Sequence, residues 1–221
     1  MASSPTRRSS DHPGPHYPRP DRPRPDRPDP HRAALLAAAV VLLATVGQLA
    51  VATFVPGIDR FDGKAFGARL LAYPVMMLLA PALWWFHQRR TGRRDTAPWG
   101  AFALVMVPFL VDVTGNTLDL YDRVAWWDDL NHFVNWIPLC AGLGLLLLAD
   151  VAQRWQVVLL VAGLGALLAI GWELGEWWTF IRHGTELDTA YTDTLGDEAL
   201  GTTGGIVAGI LLAASRRPAT L

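Results

Sequence analysis

The sequence predicts an all-α fold, a polytopic bundle of about six transmembrane helices behind a polar N-terminal tail, with both termini in the cytoplasm. Three observations carry this reading. Apolar residues make up 51% of the 221-residue chain. From Ala33 onward they gather into long blocks, several reaching the roughly 20 residues that a helix needs to cross the hydrocarbon. Arginines cluster in alternate connections, and tryptophans gather near the block ends, where a membrane protein keeps its interfacial aromatics.

Residues 1–32 form the tail. Its centre, Arg19 to Pro30, alternates proline with arginine and aspartate. Such a segment cannot bury enough apolar surface to offset its ordering entropy, and it favours extended polyproline II stretches. A cleavable signal would place a short basic region directly before the apolar run, which this tail does not do. The six apolar blocks lie near 33–55, 68–87, 98–120, 131–149, 156–180 and 198–215, and 216–221 is a short cytoplasmic C-terminus. Pro74 and Pro81 fall in the second, Pro108 in the third and Pro138 in the fourth. Membrane helices tolerate them because neighbouring groups re-satisfy the freed carbonyls. The sixth block is the weakest: short, glycine-rich and opening on Glu198.

Orientation follows from lysine and arginine in the short loops. Arg7, Arg8, Arg19, Arg22, Arg24, Arg27 and Arg32 in the tail share a side with Arg89, Arg90, Arg93, Arg94, Arg154, Arg216 and Arg217. Arg60, Lys64, Arg123 and Arg182 occupy the other side, with Arg69 at a helix edge. The richer side is cytoplasmic. Trp84, Trp85, Trp99 and Trp155 then mark the inner interface, and Trp126, Trp127, Trp177 and Trp178 the outer one.

On that topology the acids converge at the outer end. Asp112, Asn116 and Asp119 lie on the third helix at spacings of four and three, hence on one face. Asp128, Asp129, His132 and Asn135 open the fourth, Glu173 and Glu176 end the fifth, and Asp188, Asp193, Asp197 and Glu198 precede or open the sixth. Charges at membrane depth are costly and face a bundle interior, a cavity or a partner. The obvious basic partners, Arg123, Arg182, His132 and His183, are too few for pairwise neutralisation. Either several acids are protonated, or a cation compensates them. Asp112, Asp128, His132, Asp193 and Asp197 are the candidate metal ligands, with Glu173 and Glu176 as catalytic carboxylates. Zn²⁺ and Mn²⁺ suit a histidine among oxygen ligands, and Mg²⁺ or Ca²⁺ suit the oxygens. A structural hydrogen-bond network is the alternative. Asp122, Glu186 and Asp188 read as solvated loop residues, and Asp119 or Asp129 as helix-end acids.

Gly171 with Gly175 and Gly205 with Gly209 are small-xxx-small pairs that let helices approach closely. The single cysteine, Cys140, lies in an apolar block and reads as a packing residue.

Three blocks then carry a resemblance: Asp128-Asp129-Leu130-Asn131-His132-Phe133, Glu173-Leu174-Gly175-Glu176-Trp177 and Asp193-Thr194-Leu195-Gly196-Asp197. In order and spacing they resemble the YjdF-type inner-membrane family and, more distantly, the VanZ-like proteins, over roughly residues 98–215. Gly201 stands where the VanZ-like pattern usually has asparagine, and Glu198 is an additional acid. The resemblance implies a polytopic fold in the inner membrane and little chemistry. Glycopeptide resistance, with which VanZ-like proteins are associated, points only to the cell envelope.

Three functions remain open. A metal-dependent enzyme would act on a lipid or envelope-linked substrate at the outer leaflet, the cation polarising a phosphoryl or acyl oxygen and activating water, with Glu173 able to act as base. No serine or cysteine nucleophile stands among the candidate residues, which favours activated water over covalent catalysis. A cation or proton pathway would need acids throughout the bilayer, whereas the inner halves of the last three blocks are apolar. A non-enzymatic binding or assembly protein is the third. The bilayer is the expected partner, and nucleic acid is not.

Overall fold

The computed structural model describes residues 29–182 and 187–216. The long apolar blocks become helices because the hydrocarbon offers no water to backbone N–H and C=O groups, which a helix satisfies within its own segment. The order is α1 (Pro30–Phe54), a 3-10 turn (Asp59–Phe61), α2 (Phe66–Thr91), α3 (Trp99–Thr117), the short α4 (Leu120–Arg123), α5 (Trp127–Leu147), α6 (Arg154–Glu176) and α7 (Leu187–Ser215). A wide turn, Trp177–Ile181, continues α6. The described residues contain no strand. All of these helices except α4 are long and apolar enough to cross a membrane, which gives six spans. An even number of crossings leaves both ends of the described chain on one face. Pro74, Pro81, Pro108 and Pro138 lie inside helices, as expected.

Several boundaries differ from the sequence expectation, each for a local reason. α1 starts at Pro30, inside the expected tail, because the Asp29 carboxylate accepts from the His31 backbone N–H at 3.0 Å and proline suits the first helical turn. The rest of the tail, 1–28, lies outside the described residues, as does 217–221. α3 stops at Thr117 because Asp119 adopts a left-handed conformation, φ 65°, so Asp119 leaves the helical face shared by Asp112 and Asn116. α5 begins at Trp127 and takes Asp128 and Asp129 into its first turn, where the helix dipole favours acids. α7 departs most. It begins at Leu187, so Asp193 and Asp197 belong to the helix itself, and Asp197 is buried in the bundle.

The exposed surface is rich in large apolar side chains, and the interior holds polar groups beside its apolar core. Leu36, Leu43, Leu71, Leu83, Leu159, Leu167 and Leu174 are exposed, while Thr45, Asn116, Asn131, His132, Asn135, Glu173 and Asp197 are buried. Leucines on the outside and acids on the inside fit a bilayer as solvent. The principal packing runs α2–α1–α3–α5–α7–α6. Gln48 ties α1 to α3, donating to Thr114 Oγ1 at 3.1 Å and accepting from Thr117 Oγ1 at 3.0 Å. Trp172 on α6 reaches across to the Leu49, Phe66, Tyr73 and Val113 cluster of α1, α2 and α3. Cys140 packs with Trp136, Val157, Val161, Ala169, Ala208 and Leu212, the apolar core of α5, α6 and α7.

Small residues set how closely α7 lies on its neighbours. A Cβ on Gly165 would sit 2.9 Å from Gly205 Cα, and one on Gly209 would sit 2.9 Å from Val158 Cα. Gly205 and Gly209 thus carry the close approach expected of them. Gly171 and Gly175 do not, since a Cβ on either meets nothing within 4 Å. The partner surface on α6 is Gly165 with Ala169 four residues on, against which Gly201 of α7 packs. Gly205→Val should therefore force α6 and α7 apart and cost about 1–3 kcal/mol, whereas Gly171→Val should leave the melting temperature in detergent nearly unchanged. Thermal melts of the two variants beside the unsubstituted protein check this.

Candidate functional site

The site is built on one imidazole. Asp128, His132 and Trp136 lie four apart on α5 and so share a face. Trp136 Nε1 donates to the Gly165 carbonyl of α6 at 3.0 Å, and the His132 ring stacks on Trp136 with centroids 5.4 Å apart and planes 20° from parallel. Asn131 and Asn135 brace the same helix, Asn135 Nδ2 donating to Asn131 Oδ1 at 2.9 Å. The imidazole is thereby fixed in place and buried.

Three carboxylates surround it. His132 Nε2 lies 3.7 Å from Asp128 Oδ1 and 3.8 Å from Asp197 Oδ2, while Nδ1 lies 3.9 Å from Glu173 Oε1. Asp197 arrives from α7 because Gly201 and Gly204, just beyond it, let that helix settle on Trp136 and on the Phe133 carbonyl. Glu176 stands one turn after Glu173 and accepts from Trp172 Nε1 at 3.0 Å. The wide turn after Glu176, closed by Arg182 N–H on the Trp177 carbonyl at 3.0 Å, is of a kind that often marks functional positions.

These separations exceed hydrogen-bonding distance. His132 Nδ1 and Glu173 Oε1 are both buried without a hydrogen-bond partner among the described residues, and an unsatisfied buried polar group costs about 1–3 kcal/mol. Two donor groups suit a cation: Asp128, His132 and Asp197, and His132, Glu173 and Glu176, each with ligand atoms within 4.8 Å of one another. Metal bonds of about 2.0–2.2 Å at a tetrahedral angle separate two donor atoms by roughly 3.4 Å, so small side-chain adjustments would close either group on an ion. The Asp128 side chain is 46% exposed and forms the mouth, and that of Asp197 is 3% exposed and forms the floor.

The other expected ligands sit elsewhere. Asp193 is exposed, one turn before Asp197 on α7, and within electrostatic reach of Asp128 and Asp197 without belonging to either donor group. Asp112 is the centre of a different network. Its Oδ2 accepts from Arg69 Nη1 and Tyr73 OH, both at 2.5 Å, and its Oδ1 accepts from Tyr121 OH at 2.8 Å and Asn116 Nδ2 at 3.1 Å. Burial, joined by the Asp112 carboxylate, pushes the Tyr121 phenol far above its ordinary value, so it remains a donor. Asp119 and Asp122 share Lys64, each at 2.6 Å. Burial alone would lower the Lys64 ammonium pKa, but its bonds to those two acids outweigh this and hold it above the ordinary value.

Arg69 and Lys64 are the compensating cations that the sequence reading passed over. Arg69 and Tyr73, four apart on α2, were the available signal for a carboxylate partner. Removing one member of such a buried pair leaves the other charge uncompensated, so Arg69→Ala should cost about 3–5 kcal/mol. Asp112→Ala in the same chain should restore much of that loss, and a double-mutant cycle of melting curves measures the coupling.

Neither the curated proteins nor the solved structures contain a match to this chain. A family model does match, that of the predicted membrane proteins of DUF2238, over residues 33–218, which takes in all of the described spans but the first three residues of α1, and both networks. The chain is a member of the DUF2238 family of predicted membrane proteins.

Proposed function

We propose that this membrane protein binds one divalent cation, Zn²⁺, Mn²⁺ or Mg²⁺, through Asp128, His132 Nε2 and Asp197, and uses it for hydrolysis or group transfer on a lipid or envelope-linked substrate at the outer leaflet. The observation that carries this is the buried imidazole with carboxylates 3.7–3.9 Å away on both of its nitrogens. Three protein donors with an accessible mouth are the composition of a catalytic site, which keeps a position for water or substrate. A cation there would lower the pKa of bound water. Glu173, facing Nδ1, would fix the tautomer that leaves Nε2 free to ligate. Glu176 would take the proton of the attacking water. The apolar core of Trp136, Cys140, Val161 and Leu212 beneath the site argues against a continuous cation or proton path.

The three motif blocks support a closer kinship with the YjdF-type proteins and hence a place in the inner membrane. Reporter fusions after Arg94 and after Arg216 should both read cytoplasmic, and one after Arg123 should read external.

Elemental analysis and melting with EDTA test the cation. Protein purified without chelator should carry about one divalent ion per chain, and EDTA should lower its melting temperature. An ion at a hundred times its dissociation constant stabilises by about 2.7 kcal/mol. His132→Ala and Asp197→Ala should each lose the ion and the EDTA response. Metal-free protein that ignores both EDTA and added Zn²⁺ or Mn²⁺ would refute the reading. Bound metal without turnover on any envelope lipid would reduce it to a binding protein.

A further inference from the structure

A cavity lined by arginines lies at the opposite end of the bundle from His132. There α2 ends at Thr91, Gly92 caps it in a left-handed conformation, φ 69°, and the chain turns towards α3. Gln88 is buried, and its side chain pins the turn twice, donating from Nε2 to Asp95 Oδ2 at 3.0 Å and accepting from the Asp95 N–H at 3.2 Å. The turn frames a cavity of about 430 Å³ lined chiefly by Trp84, Trp85, Gln88, Arg89, Arg93 and Arg94. The Arg89 guanidinium lies over the Trp85 ring, 3.6 Å from its centroid. Arg93 and Arg94 are exposed and outside every ion pair among the described residues. Three guanidiniums thus face a cavity whose one carboxylate, Asp95, is already engaged by Gln88.

We propose that this cavity binds the headgroup of an anionic phospholipid in the leaflet that the C-terminal end of α2 reaches. The charge selects a phosphate-bearing anion, since arginine matches phosphate oxygens with paired donors. The surroundings select a lipid. Trp84 and Trp85 are interfacial residues that sit at headgroup level, and exposed Leu83 and Phe86 continue the wall onto the lipid-facing side of α2. A headgroup held there would keep its acyl chains against that apolar surface. Clusters of basic residues at the end of a membrane helix attract anionic headgroups, and the volume lies within the ~300–1,000 Å³ of ligand pockets.

Native mass spectrometry of the full chain, released from nanodiscs of equal phosphatidylglycerol and phosphatidylcholine, tests this. The unsubstituted protein should retain phosphatidylglycerol in preference to phosphatidylcholine, and excess inorganic phosphate should not displace it. R93A/R94A, which alters exposed side chains only, should weaken retention roughly thirtyfold, two basic residues' share of headgroup attraction. Arg123→Ala at the other membrane face should change nothing. Equal retention of the two lipids, displacement by excess phosphate, or full retention in R93A/R94A would each overturn the proposal. The lipid comparison on the unsubstituted protein stands whether or not the double variant folds.

Discussion

His132 turns one ring nitrogen towards Asp128 and Asp197 and the other towards Glu173, so a single imidazole links acids from α5, α6 and α7. In water such an arrangement would need no support. Within a membrane bundle each charge that loses its hydration must recover it from neighbours. Much of this end of the bundle can be understood as meeting that requirement. Trp136 holds the ring, the Gly165 carbonyl holds Trp136, and close packing of α7 through Gly201, Gly204 and Gly205 delivers Asp197.

The same requirement divides the acids into two kinds. Asp112, Asp119 and Asp122 have basic partners supplied by α2 and the turn before it, and Asp112 also has two phenols and an amide. Those acids tie α2, the turn before it, α3 and α4 together and have little capacity left for a ligand. Asp128, Asp197, Glu173 and Glu176 make no ion pair with lysine or arginine among the described residues. Chemistry that needs free carboxylate oxygens belongs with this second group. The Trp172 indole joins the two, bonding Glu176 while packing on the cluster that contains Tyr73.

The number of spans was legible in the sequence because apolar length alone decides it. Much of the site was legible too: Asp128 and His132 share a helical face, and Glu173, Glu176 and Asp197 lie near the same membrane end. Hydropathy misjudged the start of α7, since Asp193 and Asp197 look like loop residues until a buried imidazole gives the latter a reason to be inside. It also carried Asp119 into α3, because no composition rule announces a left-handed aspartate. The assignment of Asp112 turned on Arg69, whose position at a helix edge hid that it points across to α3. Gly165 escaped notice for a similar reason. Its contact is with Gly205 on another helix, and its pair in spacing is Ala169, which a search for glycine pairs alone passes over.

Whether Nε2 of His132 and two aspartates form one cation site is tested most directly by anomalous diffraction. Crystals of the full chain grown with Mn²⁺ and measured at its absorption edge should show one strong peak within bonding distance of Asp128 Oδ1, His132 Nε2 and Asp197 Oδ2. A contradictory result would be no peak there, with His132 instead drawn into direct hydrogen bonds with Glu173 and Asp197.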